Sequence, residues 1–327
     1  MKPVSIAATG AYLPARCVTN HELAERLPDT SDEWISTNTG IRTRHLIADD
    51  EAVSDMAAAA AKKALENAGV SPDELGMIFV ATCTPDYRGF PSTACIVQDL
   101  IDAPQAASLD ISAACSGFVY GLEVAKGYAQ IEDRPILLIG AEAMSRVVDW
   151  NDYKTCVLFG DGAGAVVLNA GKESDEPTGI LDSFLGADGS SARVLYVEGG
   201  TRQPASDETL KHHVLTMDGK RVFNFAVKSM VQVIEHFLAK HELKHDDVKY
   251  VIPHQANKRI IDFATKRTRI PQERFYINLD KVANTSGASI PLALAEMDEK
   301  GLLQRGDLII TVGFGAGLTF GGNLIRW

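Results

Sequence analysis

Three residues of the chain have the side-chain types that acyl-transfer chemistry requires. Cys115, His254 and Asn284 each follow a segment that the sequence predicts to be a strand. A thiol can attack a carbonyl carbon, while an imidazole and an amide can donate hydrogen bonds to a developing oxyanion. Because ligands of α/β sheets bind beyond the carboxyl ends of strands, we expect these three side chains to share one site.

Cys115 is the candidate nucleophile. It lies where a predicted buried strand, 108–111, passes into a helix that begins at about Ser112 and is apolar or small nearly all round. Such a helix is typical of a core. A thiol in its first turn meets free backbone N–H groups and the positive end of the helix dipole, so we expect a bias toward thiolate. The alternative role is a small buried hydrophobe.

The other two candidates also have ordinary structural roles. His254 ends a buried strand at 250–253, where a histidine is often only a hydrogen-bonded core residue. Asn284 follows a predicted strand at 275–279 and is a good helix N-cap. The backbone of 315–317 is rich in glycine and can approach a substrate oxygen closely. The prediction of a site therefore depends on the three strand ends taken together.

Composition restricts the class of protein. With 327 residues, 46% of them hydrophobic and 23% charged, the chain predicts two domains or one large domain of two halves. A net charge of −11 argues against a nucleic-acid partner. No segment approaches the ~20 apolar residues of a membrane span, and the N-terminus predicts a strand rather than a signal peptide. Five cysteines without CxxC spacing predict a reducing cytoplasm and neither disulfides nor zinc.

Strands and helices alternate along the chain, which predicts an α/β fold with mostly parallel strands. Polar and irregular structure is expected at 28–50, a polar bridge at 171–178, and a solvated loop at His212–His213. The first half contains predicted strands at 4–9, 77–81, 108–111 and 135–139, and predicted helices at 21–27, 52–68, 93–101 and from Ser112, and it closes with a glycine-rich segment at 157–168.

The second half repeats the order of the first. Its predicted elements are a helix at 230–242, a strand at 250–253, a helix at 284–303 and a strand at 307–311, each offset by about 172–173 residues from its counterpart. The repetition predicts two similar halves packed together. The first, 1–170, carries the cysteine, and the second, 171–327, carries the histidine and the asparagine.

At this point the whole chain resembles the β-ketoacyl-[acyl carrier protein] synthase III family of thiolase-like condensing enzymes. The resemblance implies a five-layered αβαβα thiolase-like fold and a homodimer. It also implies that Cys115, His254 and Asn284 are catalytic and that the Cys115 and Ala316 amides form the oxyanion hole. The motifs that carry it are DISAACSGF at 110–118, GDGAGA at 160–165, PHQAN at 253–257, NTSGAS at 284–289 and GFGAG at 313–317.

The activity implied is a decarboxylating Claisen condensation between a short acyl-CoA and a malonyl group on acyl carrier protein, which initiates fatty acid synthesis without a cofactor. The resemblance places Phe90 in the partner subunit's acyl pocket. It places Trp34, Arg42, Asn257 and Arg259 at coenzyme A, and Arg259, Lys258 and Lys266 at the carrier protein. Asn38, Tyr153 and Asn224 stand where the family pattern leads us to expect basic residues.

Several alternatives remain open at this level. A related condensing enzyme could start a polyketide, a quinolone-type product or a biotin precursor. Cys…His…Asn is also the chain order of papain-like hydrolases, although their cysteine signature is absent here. A catalytically silent partner subunit would be expected to lack the cysteine, which this chain retains.

Overall fold

The computed structural model describes residues 2–171, 178–199, 201 and 214–327. The predictions for His212–His213 and for most of the bridge at 171–178 lie outside these residues. Within the described part of the chain, no helix is long and apolar enough to cross a membrane.

Helices and strands alternate as the sequence predicts. The helices are α1 (Asn20–Arg26), α2 (Asp32–Thr39), α3 (Val53–Ala68), α4 (Thr93–Leu100), α5 (Gly117–Tyr128), α6 (Tyr153–Cys156), α7 (Gly219–Lys240), α8 (Lys258–Thr268), α9 (Leu279–Val282) and α10 (Ser289–Glu299). The strands are β1 (Val4–Tyr12), β2 (Arg16–Thr19), β3 (Thr43–Leu46), β4 (Met77–Ala81), β5 (Ala107–Ile111), β6 (Ile136–Ala143), β7 (Asp161–Ala170), β8 (Gly179–Ala187), β9 (Leu195–Val197), β10 (Leu215–Met217), β11 (Tyr250–Pro253), β12 (Leu308–Gly315) and β13 (Thr319–Arg326).

Two large sheets form the frame. One has the order β1-β7-β6-β4-β5, and the other has the order β11-β12-β13-β8. In the first sheet β7 runs against both of its neighbours, and in the second sheet β13 does so. The remaining strands of each sheet share one direction, so the prediction of mostly parallel strands is confirmed, with one reversed strand in each sheet.

Five layers result from the packing of these sheets with helices. Helices α5 and α10 lie between the two sheets and share one core with them. Helices α3 and α4 cover the outer face of the first sheet, and α7 and α8 cover the outer face of the second. Both faces of each sheet are thus buried, which explains why a strand such as β4 is apolar at every position rather than alternating. The predicted αβαβα arrangement is confirmed.

The duplication extends to backbone detail. A 3-10 turn at Ala114–Ser116 precedes α5, and a 3-10 turn at Ser286–Ala288, which begins 172 residues later in the numbering, precedes α10. The first residue of each turn has a positive φ, 46° at Ala114 and 48° at Ser286. Both helices therefore begin five residues later than the sequence predicts, because a sharp turn separates each from the preceding segment.

Residues 275–279 do not form the predicted strand. Only Phe275 pairs, through an isolated parallel bridge to Val251 in β11, before the chain turns into α9. The bridge occupies the position beside β11 that β5 occupies beside β4. The second half thus has the same order of strands as the first, but its fifth strand is reduced to a single contact.

Two further predictions need correction. The segment 28–50 is not irregular, because it contains α2 and β3. Ser31 caps α2 by accepting a hydrogen bond from the Trp34 N–H at 3.0 Å.

Strand β5 is not buried, because it lies at a sheet edge and pairs only with β4 among the described strands. Leu109 on β5 is 41% exposed.

Candidate active site

Cys115 lies in the turn between β5 and α5 and is buried. The turn is held from both sides. The Ala113 carbonyl accepts hydrogen bonds from the Ser116 hydroxyl at 2.8 Å and from the Thr319 hydroxyl at 3.2 Å. Thr319 also donates to the carbonyl of Ala316 at 2.8 Å. Thr319 therefore ties the turn that carries the nucleophile to the residue that the sequence predicts as its oxyanion-hole partner.

Gly315, at the end of β12, lies very close to the nucleophile. A Cβ atom at this position would lie 2.8 Å from the Cys115 Cβ and 2.9 Å from its backbone nitrogen. Only glycine fits there without displacing Cys115. This contact brings the backbone of 315–316 beside the sulfur, as an oxyanion hole requires.

The expectation of a thiolate at Cys115 is wrong. Burial raises the pKa of Cys115 to about 12, and the lowering effect of a hydrogen bond from Ser286 does not compensate for it. Besides burial, there are two further physical reasons. The α-helix begins only at Gly117, so Cys115 is not in its first turn, and the carboxylate of Glu142 repels negative charge on the sulfur. At neutral pH the resting group is a thiol.

His254 follows β11 and lies 1% exposed. Its backbone N–H donates to the carbonyl of Val312 in β12 at 2.7 Å, and its Nδ1 is 2.7 Å from the hydroxyl of Ser289 at the start of α10. The bond to Ser289 fixes the ring and leaves Nε2 for the cavity. Burial lowers the pKa of His254 to about 3, so the imidazole is neutral and can donate one hydrogen bond from Nε2 when Nδ1 is the acceptor.

Asn284 is held by three hydrogen bonds. Its N–H donates to the Leu158 carbonyl at 2.9 Å, and its own carbonyl accepts from the Gly160 N–H at 3.1 Å. Its side-chain oxygen accepts from the Ser286 N–H at 2.9 Å. Because the amide oxygen is occupied in this way, the amide NH2 is the group that remains for a substrate. Asn284 is not the N-cap of α10, which begins five residues later.

The residue before Asn284 has a strained backbone. Ala283 has φ 58° and ψ −160°, a region that side chains other than glycine rarely adopt. The hydrogen bonds of Asn284 to both sides of the 158–160 segment hold this conformation in place. The strain at Ala283 thus lowers the stability of the fold, and it accompanies the fixed orientation of Asn284, a candidate catalytic group.

Ala283→Gly is expected to stabilise the protein by about 1 kcal/mol. Removing the Cβ relieves strain of about 1–3 kcal/mol, and the greater freedom of glycine in the unfolded chain offsets about 0.4–1 kcal/mol of that gain. Urea denaturation at equilibrium measures the change. The matched control is Ala239→Gly at an exposed position of helix α7, which should destabilise by about 0.5–1 kcal/mol. Equal destabilisation by both changes would contradict the assignment of strain.

The three predicted catalytic residues open onto one cavity of about 650 Å³. Cys115, His254 and Asn284 all line it, together with Ala316. The exposed residues Trp34 and Lys154 line it too, so the cavity extends from the protein surface to the buried sulfur. This shape suits a long thioester whose reacting carbonyl must reach a nucleophile excluded from water.

The predicted coenzyme A residues separate into two groups. Trp34 and Asn257 line the cavity, whereas Arg42 and Arg259 are exposed and are not among its lining residues. The Asn257 amide donates to the Asn38 carbonyl at 3.2 Å, which joins α8 to α2 beside Trp34.

The three positions where basic residues were expected, Asn38, Tyr153 and Asn224, differ in whether they lie near the cavity. Asn38 lines the cavity, and the ring of Tyr153 lies 5.5 Å from that of Trp34. The adjacent Lys154 supplies a positive charge to the lining. Asn224 is exposed on α7 and adds no charge.

Two of the predicted carrier-protein residues differ in their contacts. Lys258 forms an ion pair with Asp262 at 2.8 Å and packs against Gly40. Lys266 is exposed, and its ammonium lies 5.8 Å from the centre of the Phe263 ring. Lys266 is therefore more available to an acidic partner than Lys258.

Sequence reasoning missed the polar residues that support the three candidates. Ser286, Ser289 and Thr319 are each hydrogen-bonded to the catalytic segments, and Glu142 lies buried behind Cys83. The two serines lie in the NTSGAS motif, so their proximity to Asn284 could have been noticed. Nothing local distinguishes Glu142, whose partners are 58 to 145 residues away, or Thr319, whose bond to the Ala113 carbonyl spans 206 residues.

Comparison with known proteins agrees with this fold and site. Family models described as 3-oxoacyl-[acyl-carrier-protein] synthase III, and as the C-terminal part of that protein, match residues 109–189 and 238–327. The chain is 49% identical over 326 residues to a β-ketoacyl-[acyl-carrier-protein] synthase III of Caldanaerobacter subterraneus subsp. tengcongensis. That alignment covers 98% of this chain and 97% of the relative.

Solved structures give the same result. The crystal structure of 3-oxoacyl-[acyl-carrier-protein] synthase III from Aquifex aeolicus matches with a TM-score of 0.90 and 44% identity, covering 99% of this chain and 100% of that one. The priming β-ketosynthase of a polyketide biosynthetic pathway matches with a TM-score of 0.91 and 35% identity, covering 99% and 96%.

A duplicated fold whose two halves supply a cysteine, a histidine and an asparagine to one cavity defines a thiolase-like condensing enzyme, an acyltransferase. Within that class, the chain belongs to the β-ketoacyl-[acyl carrier protein] synthase III family, since similarity extends over almost its whole length. The prediction of a condensing enzyme is confirmed, and the alternative of a cysteine hydrolase is wrong.

Proposed function

We propose that this chain condenses a short acyl-CoA with a malonyl group on acyl carrier protein and so initiates fatty acid synthesis. The observation that carries the proposal is the convergence of Cys115, His254 and Asn284 on one cavity that reaches the surface. Two halves of the chain supply these groups, and we propose 1–170 and 171–327 as the corresponding domains. The reaction uses coenzyme A as a thioester substrate and needs no further cofactor.

The first half-reaction is acyl transfer. The Cys115 sulfur attacks the thioester carbon, and the N–H groups of Cys115 and Ala316 stabilise the oxyanion. Support comes from the contact of Gly315 with Cys115, which brings the two backbone segments together. A preorganised donor of this kind contributes about 10²–10³ in rate. Collapse of the intermediate expels coenzyme A and leaves an acyl group on the sulfur.

The second half-reaction forms the carbon–carbon bond. Nε2 of His254 and the amide NH2 of Asn284 donate to the malonyl thioester oxygen and stabilise the enolate as carbon dioxide departs. The fixed positions of both groups support this role, because Ser289 holds the ring of His254 and Ser286 holds the amide of Asn284. The enolate carbon then attacks the acyl group on Cys115.

An acyl-transfer assay tests the proposal directly. The purified protein is incubated with acetyl-, propionyl-, isobutyryl- and hexanoyl-CoA, and the adduct on Cys115 is read by intact-protein mass and peptide mapping. Malonyl-[acyl carrier protein] is then added. Loss of the adduct together with a β-ketoacyl product is expected, and a chain that forms no adduct with any acyl-CoA would lack the proposed function.

The substrate-binding roles form part of the same proposal. Trp34 and Asn257 hold coenzyme A where the cavity opens, with Lys154 supplying positive charge in place of the basic residues expected at Asn38 and Tyr153. Arg42 and Arg259 contact the outer part of coenzyme A from the surface. Arg259, Lys258 and Lys266 receive the acidic carrier protein in the cytoplasm.

A homodimer is proposed because of exposed apolar groups in the first half of the chain. Phe90 is 90% exposed, so it does not cover the core of its own chain. Leu109 is exposed on the edge strand β5, whose outer edge has no partner among the described strands. A second copy would cover both, and we place Phe90 in the acyl pocket of that copy.

Phe90→Thr is expected to extend the range of starters to longer chains. A bulky ring at the end of a pocket excludes long chains by steric contact, whereas a hydrophobic pocket discriminates against short ones by only ~1–3 kcal/mol per methylene. The wild type should therefore prefer acetyl, propionyl or small branched groups. Acylation of Cys115 by a chain-length series of acyl-CoAs measures the preference.

A mixed dimer shows whether Phe90 acts across the interface. One subunit carries Cys115→Ala and Phe90→Thr, and the other is wild type, so the only reactive Cys115 faces the changed loop. The control dimer carries Cys115→Ala alone. Acylation by hexanoyl-CoA is expected in the first dimer only, and identical short-chain selectivity in the two dimers would refute the role in trans.

A polyketide-priming enzyme remains the second candidate, because a priming β-ketosynthase is among the similar structures. Quinolone-type and biotin-precursor synthesis use the same chemistry and are alternatives of the same kind. A comparison of carrier proteins from fatty acid and polyketide synthesis as malonyl donors separates these pathways.

A further inference from the structure

Glu142 is a buried carboxylate that no step above uses. It lies near the end of β6 and has no solvent exposure. Burying an ionised carboxyl is costly unless donors surround it. Burial raises the pKa of Glu142, and hydrogen bonds to its oxygens favour the ionised form. The donors are the hydroxyls of Thr82, Thr84 and Ser286, the N–H groups of Cys83 and Gly287, and the thiol of Cys83.

The two oxygens of Glu142 bind two different segments of the chain. Oε2 accepts from the Thr84 hydroxyl at 2.7 Å and from the Cys83 N–H at 3.1 Å, in the segment that follows β4. Oε1 accepts from the Ser286 hydroxyl at 3.0 Å and from the Gly287 N–H at 3.3 Å, in the 3-10 turn that precedes α10. The side chain therefore holds the turn before α10 against the segment after β4.

The turn before α10 also orients Asn284. The side-chain oxygen of Asn284 accepts from the Ser286 N–H at 2.9 Å. Ser286 thus binds Glu142 through its hydroxyl and Asn284 through its N–H. Because this N–H fixes the amide oxygen of Asn284, a shift of the turn also shifts the NH2 group that the second half-reaction needs.

Gly287 shows how closely the carboxylate, the turn and the first half of the chain are packed. A Cβ atom at Gly287 would lie 3.1 Å from Glu142 Oε1 and 3.3 Å from the carbonyl oxygen of Ala114, in the turn that carries the nucleophile. A Cβ atom at Gly140 in β6 would lie 2.4 Å from the carbonyl oxygen of Gly287. Glu142 therefore lies where the two halves of the chain meet behind the site.

We propose that Glu142 is a positioning residue for the second half-reaction, because its carboxylate fixes the turn that orients the amide of Asn284. Glu142 is not among the residues that line the cavity, so it acts through Ser286 and Gly287 rather than on the substrate. The inference rests on the proposed function, which assigns Asn284 to the malonyl thioester oxygen.

An amide cannot replace this carboxylate without loss of a hydrogen bond. The N–H groups of Cys83 and Gly287 cannot become acceptors, and each binds a different oxygen of Glu142. In Glu142→Gln the new NH2 group therefore faces one of these N–H groups in either orientation. The bonds at Oε2 from Thr84 and Cys83 are the shorter ones, so we expect the NH2 group on the Oε1 side, opposite Gly287. The turn before α10 then loses its backbone anchor.

Charge alone predicts the opposite effect of removing Glu142. A negative charge behind the site opposes the negative charge of the enolate, so a purely electrostatic role means faster decarboxylation in Glu142→Gln. A positioning role means decarboxylation slower by about 10²-fold, the cost of a displacement of about 1 Å. It also means that acetylation of Cys115 is spared, because Thr319 holds the turn of the nucleophile from β13.

The experiment compares the wild type with Glu142→Gln, Ser286→Ala and Thr82→Val, each with Asn284 intact and each combined with Asn284→Ala. Thr82→Val is the matched control, because it removes a donor from the Oε2 side of the same carboxylate, away from the turn before α10. Rapid-quench mass spectrometry follows acetylation of Cys115, and release of carbon dioxide from a malonyl thioester is measured separately. Thermal melting confirms that each variant is folded, and Ser286→Ala tests the inference independently if Glu142→Gln does not fold.

Release of carbon dioxide is expected to be about 10²-fold slower in Glu142→Gln, and about tenfold slower in Ser286→Ala, which loses one hydrogen bond of the set. Thr82→Val should stay within about threefold of the wild type, and all three variants should keep at least about a third of the wild-type rate of acetylation. Combined with Asn284→Ala, none of the three changes should slow decarboxylation further, because a residue that acts through the Asn284 amide has no effect once the amide is absent.

Unchanged or faster decarboxylation in Glu142→Gln and Ser286→Ala would overturn the inference. A parallel loss of both half-reactions would do so too, and so would an equal further loss in the presence of Asn284→Ala. If the wild type forms no acyl adduct and releases no carbon dioxide, the proposed function fails instead. Crystal structures of the wild type and the folded variants then test the inference. A displaced or rotated Asn284 amide is expected in Glu142→Gln and Ser286→Ala, and an unchanged amide would count against it.

Discussion

Cys115→Ala is expected to abolish formation of the acyl-enzyme while the protein stays folded. The sulfur is the nucleophile that we assign beside the N–H groups of Cys115 and Ala316, and an alanine there keeps both N–H groups and the turn. The side chain is small, so its loss leaves a minor cavity and little change in stability. Intact-protein mass after incubation with acetyl-CoA should show no adduct, against stoichiometric labelling of the wild type.

The matched control for this change is Cys83→Ala. Cys83 lines the same cavity, and its thiol donates to Glu142 rather than facing the oxyanion hole. Burial raises the pKa of Cys83 as it raises that of Cys115, so the two thiols differ chiefly in that the Cys83 proton is held by the Glu142 carboxylate. Cys83→Ala should keep the adduct, and an undiminished adduct in Cys115→Ala would show that the nucleophile is misassigned.

His254→Ala and Asn284→Ala are expected to accept the acyl group but to lose decarboxylation of malonyl thioester by about 10²–10³-fold each. The reason is that each variant removes one fixed donor to the enolate oxygen, whereas acylation depends on Cys115 and its own oxyanion hole. Release of carbon dioxide and acylation are measured separately on the same preparations. The result would show that the two half-reactions use different groups of one cavity.

The conservative variant Asn284→Asp tests the role of the amide donor more specifically. In Asn284→Asp the side chain keeps its acceptor for the Ser286 N–H, but it loses the amide donor and brings a negative charge to the enolate. Asn284→Asp should therefore decarboxylate the malonyl thioester no faster than Asn284→Ala does. Decarboxylation at the wild-type rate in His254→Ala and Asn284→Ala would remove both residues from enolate stabilisation.

Most of the architecture was predictable because it depends on local pattern. Helix α3 ends at Gly69, which adopts a left-handed conformation with φ 65°, and β4 spans the same residues that hydrophobicity indicates. The offset of about 172 residues between the halves could be read from the order of the elements, and the structure repeats it down to the positive φ of Ala114 and Ser286.

Elements whose state depends on distant partners were predicted less well. Residues 275–279 have the composition of a strand, yet only Phe275 pairs with β11. Strand β5 was predicted to be buried, but its place at the edge of the sheet leaves Leu109 exposed. Neither outcome follows from the residues themselves, since a sheet edge is defined by what does or does not pair beyond it.

The sequence by itself indicated the duplicated α/β fold and the three groups that share the cavity, because residue types and hydrophobic period are local properties, and the resemblance of its motifs to a known family implied the class of enzyme. Only the tertiary structure decided the pKa values and hydrogen bonds of these groups. The pKa of Cys115 is raised to about 12 because burial and Glu142 outweigh the Ser286 hydrogen bond, and these are contacts between segments far apart in the chain. The same folding surrounds Glu142 with donors and brings its carboxylate to the Ser286 hydroxyl. Desolvation and hydrogen-bond geometry depend on the whole packed environment, which no single segment specifies.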